Sequence, residues 1–203
     1  MTRFVLVVAA SVFVLAPSQA AFVTVDFNGL TGSGGVSRGL TYTEDGFTLT
    51  ALAPNVFGFV SIHPGIPQYT GTPSFYNSTI NGVTQLTRNS GVPFTLASID
   101  LDPLNTSAVS VTFTGTLNGG GTVTQAFVTD ATRPSLQTFV FSSAFTNLTA
   151  VQWTQDAPFH TFDNIVADDA GPSAVATPAP PTALAALVIP LTGLVGRFRR
   201  RAV

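Results

Sequence analysis

The sequence predicts an all-β fold: an antiparallel, jelly-roll-like β-sandwich flanked by an N-terminal signal helix and a short hydrophobic C-terminal helix. Three observations carry the sandwich. Helix formers are scarce, with one glutamate and no lysine among 203 residues. Thr, Val, Phe and Ser recur in short runs broken by Gly, Pro, Asn and Asp, the usage expected of strands and turns. About ten such runs, spaced by roughly 8–15 residues, suit two packed antiparallel sheets better than the strand-helix alternation of a parallel one.

Taken in order, residues 1–20 read as a secretory signal peptide. Arg3 supplies the positive region, Phe4 to Leu15 the apolar run, and Ser18-Gln19-Ala20 the small residues before cleavage after Ala20. The run is shorter than the ~20 residues a spanning helix needs. The domain then occupies residues 21–170, room enough for one core. Strands are expected near Phe22–Phe27, Gly46–Leu52, Val56–Ser61, Gly82–Thr87, Phe94–Leu101, Ala108–Leu117, Thr122–Val128, Leu136–Phe141, Ala150–Gln155 and Thr161–Ala167. In Ala108–Leu117 the pattern is clearest, with Val109, Val111, Phe113 and Gly115 on one face and Ser110, Thr112, Thr114 and Thr116 on the other. Asn118-Gly119-Gly120-Gly121 then turns the chain, since glycine reaches the positive φ of a tight hairpin. The stretch Ala53 to Ser78 is less regular and predicts a long loop across one end of the sandwich. Residues 171–181 form a Pro/Ala-rich linker.

Residues 182–203 form a tail of a different kind. Thr182 to Gly196 carries no charge, and as a helix it would span roughly 22 Å, short of the ~30 Å hydrocarbon core. Arg197, Arg199, Arg200 and Arg201 follow, and would hold this end on the cytoplasmic side of a membrane. Pro178-Ala179-Pro180 precedes the apolar run. This arrangement resembles the PEP-CTERM sorting signal recognised by exosortases, with Ala179 standing where that family usually carries glutamate. The resemblance implies export, transient anchoring in the inner membrane, recognition of the tail by an exosortase, and residence at the cell surface or in an extracellular polysaccharide matrix. The domain resembles the exported sandwiches that carry such tails, at Val25-Asp26-Phe27, Asp45-Gly46-Phe47, Phe94 to Leu101 and Phe162-Asp163-Asn164-Ile165. That likeness implies a non-catalytic, carbohydrate-module-like domain in the surface or exopolysaccharide layer.

Composition bounds the partners. All ten acids lie in residues 21–170, against Arg38, Arg88 and Arg133, and an acidic surface repels nucleic acid. There is no cysteine, so the core alone must hold the exported fold. Strict alternation in Phe162-Asp163-Asn164-Ile165 puts a polar and an apolar group on each face. A buried carboxylate needs hydrogen bonds or a cation. Two readings follow: Asp163 and Asn164 tie the last strand to loop backbone amides, or they join Asp26 in a calcium site. Tyr69 and Tyr76, in the irregular stretch, are ligand-binding candidates because an aromatic body with a polar tip suits sugars, whereas Trp153 reads as core.

Catalytic constellations are thin. A glycan-acting hydrolase would need a carboxylate pair, built from Glu44 and one of Asp45, Asp100 or Asp102, yet Glu44-Asp45 reads as a solvated turn. His63 and His160 are far apart in sequence and lack zinc-ligand spacing, and Gly32, Gly34 and Gly35 read as turn glycines. The expectation is therefore an exported, non-enzymatic surface protein without cofactor other than calcium, with a secreted hydrolase or a permanently anchored periplasmic binding module as rivals.

Overall fold

A computed structural model describes residues 21–54 and 57–168. The signal peptide, the linker with Pro178, Ala179 and Pro180, the apolar tail and its arginines lie outside the described residues. Among those described, no helix is long and apolar enough to cross a membrane.

The strands run, in chain order, β1 (Phe22–Val25), β2 (Gly35–Gly39), β3 (Thr41–Glu44), β4 (Phe47–Leu52), β5 (Phe59–Ile62), β6 (Ser74–Asn77), β7 (Gly82–Arg88), β8 (Leu96–Pro103), β9 (Ser110–Leu117), β10 (Thr122–Val128), β11 (Gln137–Val140), β12 (Leu148–Gln155) and β13 (His160–Asp168). They form two antiparallel sheets. The seven-stranded sheet has the order β11-β8-β13-β6-β5-β2, with β1 also paired to β13. The six-stranded sheet has the order β10-β9-β12-β7-β4-β3. Hence the last strand lies in the middle of its sheet, held by β8 on one side and by β1 and β6 on the other.

Alternation builds the core as it should in a two-sheet sandwich. Val111 and Phe113 of β9 point inward at 1% and 0% exposure, while Ser110, Thr112 and Thr116 are exposed. Phe27 and Phe75 stack with ring centroids 4.2 Å apart, and Trp153 meets Phe162 edge-on at 5.1 Å. Each buried phenylalanine contributes about 1.5–3 kcal/mol through burial. Gly120 and Gly121, at φ 89° and 84°, turn β9 into β10, while Asp45 and Gly46, at φ 45° and 81°, make the two-residue connection from β3 to β4.

The structure departs from the sequence reading in three places. β2 and β3 arise where no strand was expected, and in the stretch 53–78 the expected strand near Val56–Ser61 is met by β5, but an unexpected β6 confines the loop to 63–73. In β13 the strict alternation fails. Asp163 faces Asp100, but the next aligned pair is Val166 with Ser98, so β13 uses three steps against two of β8. Asn164 takes the extra step at φ 45°, a left-handed position that asparagine tolerates better than most residues. Phe162 and Ile165 consequently both enter the core, each at 0% exposure.

Candidate functional site

The bulge gathers polar groups on the outer side of the seven-stranded sheet. Asp163 is fully buried. Thr72 Oγ1, from loop 63–73, donates to its Oδ2 at 2.9 Å, and the Asn164 backbone N–H donates to Oδ1 at 2.8 Å. The Asn164 side-chain amide donates to Asp100 Oδ2 at 2.8 Å. Burial pushes the Asp163 carboxyl up to about 7, opposed by these donors and reinforced by the charges of Asp100 and Asp26. Asp26 is half-buried, and both its oxygens accept from Asn28, at 3.0 and 2.8 Å. The three residues named for calcium are thus neighbours, but the carboxylate oxygens of Asp26 and Asp163 all serve hydrogen bonds. Among the described residues no group of three or more His, Asp or Glu side chains is arranged to hold a metal ion. The tie to the loop runs through the Thr72 hydroxyl, where the sequence reading placed backbone amides.

Four connecting segments meet on the same sheet near Tyr76. Its ring is half-buried and lies 6.2 Å from that of Phe159, tilted by 35°. The Phe159 carbonyl accepts from Leu104 N at 2.8 Å, and the Leu104 carbonyl accepts from Arg133 Nη1 at 3.1 Å and, at 3.5 Å, from Gln68 Nε2. Tyr69 follows Gln68, half-buried, with its hydroxyl donating to the Gly71 carbonyl at 2.6 Å. The two candidate tyrosines are therefore linked through Gln68, Leu104 and Phe159. Burial pushes the Tyr76 hydroxyl up, keeping it a neutral donor at ordinary pH. Half-buried rings beside an amide and a guanidinium can stack a partly apolar ligand and hydrogen-bond its edge.

The carboxylates named for a hydrolase are housed differently, and Asp100 accepts from the Asn164 amide. Glu44 Oε2 accepts from Phe27 N at 3.0 Å, and the carboxyl is also hydrogen-bonded to Tyr42. Burial, chiefly, raises its affinity for protons, so Glu44 is half-buried and engaged where the sequence suggested a solvated turn; Asp45 is exposed. Asp102 is fully buried in the other sheet, accepting from Ser135 N at 3.0 Å, beyond the reach of substrate. Burial pushes it toward its protonated form.

No family model matches this chain. No curated protein matches it either. Among solved structures it is similar to a mutant of the family 29 carbohydrate-binding module CBM29-2, at 14% identity and TM-score 0.38, over 76% of this chain and 89% of that one. A second chain, a mutant of a carbohydrate-binding module of family 29, gives 15% identity and TM-score 0.38 over 79% and 99%. A third, a CBM29-2 mutant complexed with mannohexaose, gives 17% and 0.36 over 76% and 95%.

Sequence reasoning missed a buried polar cluster. Arg38 Nε donates to Ser61 Oγ at 2.7 Å, and Arg38 Nη2 contacts the Thr31 carbonyl at 2.8 Å and His63 Nε2 at 2.9 Å. Because guanidinium only donates, His63 Nε2 accepts and its proton sits on Nδ1. Burial, then Arg38, lowers its affinity for a second proton. Ser61 also lies 2.8 Å from His63 Nε2, but it is fully buried. The pattern Ser61-x-His63 would have shown that the pair shares a strand face, but only the fold supplies Arg38. Phe159 and Thr72 were missed for the same reason, each meeting its partner across a long sequence separation.

Proposed function

We propose that this chain is an exported, non-catalytic protein of the cell surface or extracellular matrix. Its jelly-roll-like sandwich holds polysaccharide at the Tyr69, Tyr76 and Phe159 surface. An exosortase-type system reads Pro178-Ala179-Pro180, the apolar run and Arg197, Arg199, Arg200 and Arg201 while the chain sits in the inner membrane. The observation that carries the glycan reading is the packing of Tyr76 on Phe159, joined to Tyr69 through Gln68 and Leu104 and left half-exposed. Rigid aromatic surface of this kind offers contact area at little entropic cost, and the neighbouring amide and guanidinium supply direction. Asp163, held at the bulge by the Asn164 backbone, serves this surface by fastening loop 63–73 through Thr72.

Depletion of the full chain, held in detergent, onto insoluble neutral and acidic polysaccharides tests the glycan half. Tyr76→Ala should weaken retention at least about tenfold, a loss of roughly 1.4 kcal/mol, while leaving the circular dichroism spectrum unchanged. Equal retention of both proteins would sink the proposal. Intact mass of the protein recovered from cells tests the sorting half: loss of residues 1–20 and of the arginines supports it, whereas retention of the arginines in the membrane fraction indicates a permanently anchored module.

A further inference from the structure

The free edges of the two sheets are not built alike. β2 ends the seven-stranded sheet on one side, its register against β5 shifting between Ser37 and Gly39, and it carries Arg38. β11, on the other side, is only four residues long. β3, also four residues, ends the six-stranded sheet and bears Glu44, and β1 is equally short. Bulges, charges and brevity are the means by which natural sheets discourage edge-to-edge pairing. β10 has none of them. Its seven residues run in unbroken register with β9 and include no charge, proline or glycine. Thr122, Thr124, Ala126 and Val128 are exposed, Val128 by 62%. Its inner side is braced by Gln125, whose amide donates to the Val140 carbonyl at 3.3 Å and accepts from Ser142 N at 2.9 Å. Among the described residues no strand pairs with its outer edge.

We propose that β10 pairs antiparallel with β10 of a second copy, joining two six-stranded sheets about a two-fold axis. The strand's own chemistry selects a copy of itself. The register that pairs the whole strand is centred on Gln125 and sets Val123 against Phe127 on the core side and Thr124 against Ala126 on the outer side, pairs that favour a ladder. Asp130, the first charge beyond the strand, falls opposite Gly120 of the other copy, so two acidic domains meet without a like-charge contact. A charged partner would find no counter-charge along the strand. The contact uses the same patch on both copies, so it closes at a dimer.

The chain has no cysteine, which makes a clean cross-linking test possible. Full chains carrying Thr124→Cys or Ala126→Cys are each prepared in detergent. Mixed under mild oxidation they should give a disulfide-linked pair, because these positions face each other across the axis. Either variant alone should give far less, its own thiols lying on a diagonal of about 7–8 Å. Sedimentation of the unmodified chain at about 0.1 mM, where a micromolar dimer would be populated, should report a dimer. Ala126→Lys, at an exposed position, should return the monomer with unchanged circular dichroism. A monomeric unmodified chain, a dimer that survives Ala126→Lys, or equal cross-linking in the mixture and in the single variants would overturn the proposal.

Discussion

Asp163 and His160 sit three residues apart in one strand, and both resist charge because they are buried. Their effects on stability have opposite signs. Asp163 titrates near 7 in the fold against 3.8 in a free chain, so the folded state holds the extra proton in between and loses stability as pH rises through that window. His160 falls from 6.5 to about 4 on burial, so the unfolded chain binds the extra proton there and stability is lost as pH falls from 6.5 toward 4. The Gln155 amide oxygen fits this state, accepting from His160 N at 2.7 Å and from Nδ1 at 3.2 Å. Single variants separate the two. In urea unfolding, Asp163→Asn should gain on the parent chain between about pH 5 and about pH 8, and His160→Gln should gain between about pH 7 and about pH 4.5. An offset that stays constant with pH, for either variant, would contradict its assigned titration. Calcium, added in excess, should leave the thermal midpoint of the parent chain unmoved; an upward shift would return Asp26, Asp163 and Asn164 to the role of ligands.

At the scale of the element, the bulge in β13 is the decisive local feature. Asn164→Val should cost about 1–3 kcal/mol, because a β-branched residue at φ 45° is strained and the bond to Asp100 is lost. Equilibrium denaturation measures this, and a change within about 0.5 kcal/mol would show that the bulge can relax. Gly58 is a second such point, at φ 73°, where a Cβ would collide with the Gly39 carbonyl oxygen and separate β5 from the end of β2. Gly58→Val should therefore unfold the chain at lower denaturant by several kcal/mol. These features mark the boundary of what the sequence discloses. The period of two in β9, the glycine turn after it and the core position of Trp153 follow from local pattern alone. β2 and β3 escape it because short edge strands rich in Gly, Ser and Thr look like the loops beside them. The bulge escapes it because one extra residue reverses the face of everything after it, and only the partner strand reveals the count. The polar clusters escape it because Arg38 finds His63, and Thr72 finds Asp163, across 25 and 91 residues.

Across the whole molecule, charge and topology divide the sandwich. The outer face of the six-stranded sheet carries a register-matched row, Thr41, Thr50, Gln85, Gln152, Thr114 and Thr124, without a charge. Asp26, Asp100 and Asp163 instead lie close together on the seven-stranded sheet, while Glu44 and Asp45 stand at the β3–β4 edge of the six-stranded one. Glycan retention on the Tyr76 side should accordingly be indifferent to substitution in this row: Thr114→Ala should bind as the parent chain does, and a matched loss would relocate the ligand to the six-stranded sheet. The central place of β13 has a consequence in time. β13 is the last strand of the domain to leave the ribosome, yet β8, β6 and β1 all pair with it. Until His160–Asp168 has emerged, the seven-stranded sheet has no middle, and the first strand has nothing to hold. The seven-stranded sheet can therefore close only once the end of the domain is available, and a chain cut before His160 would lack the centre of that sheet and leave β1 without its partner.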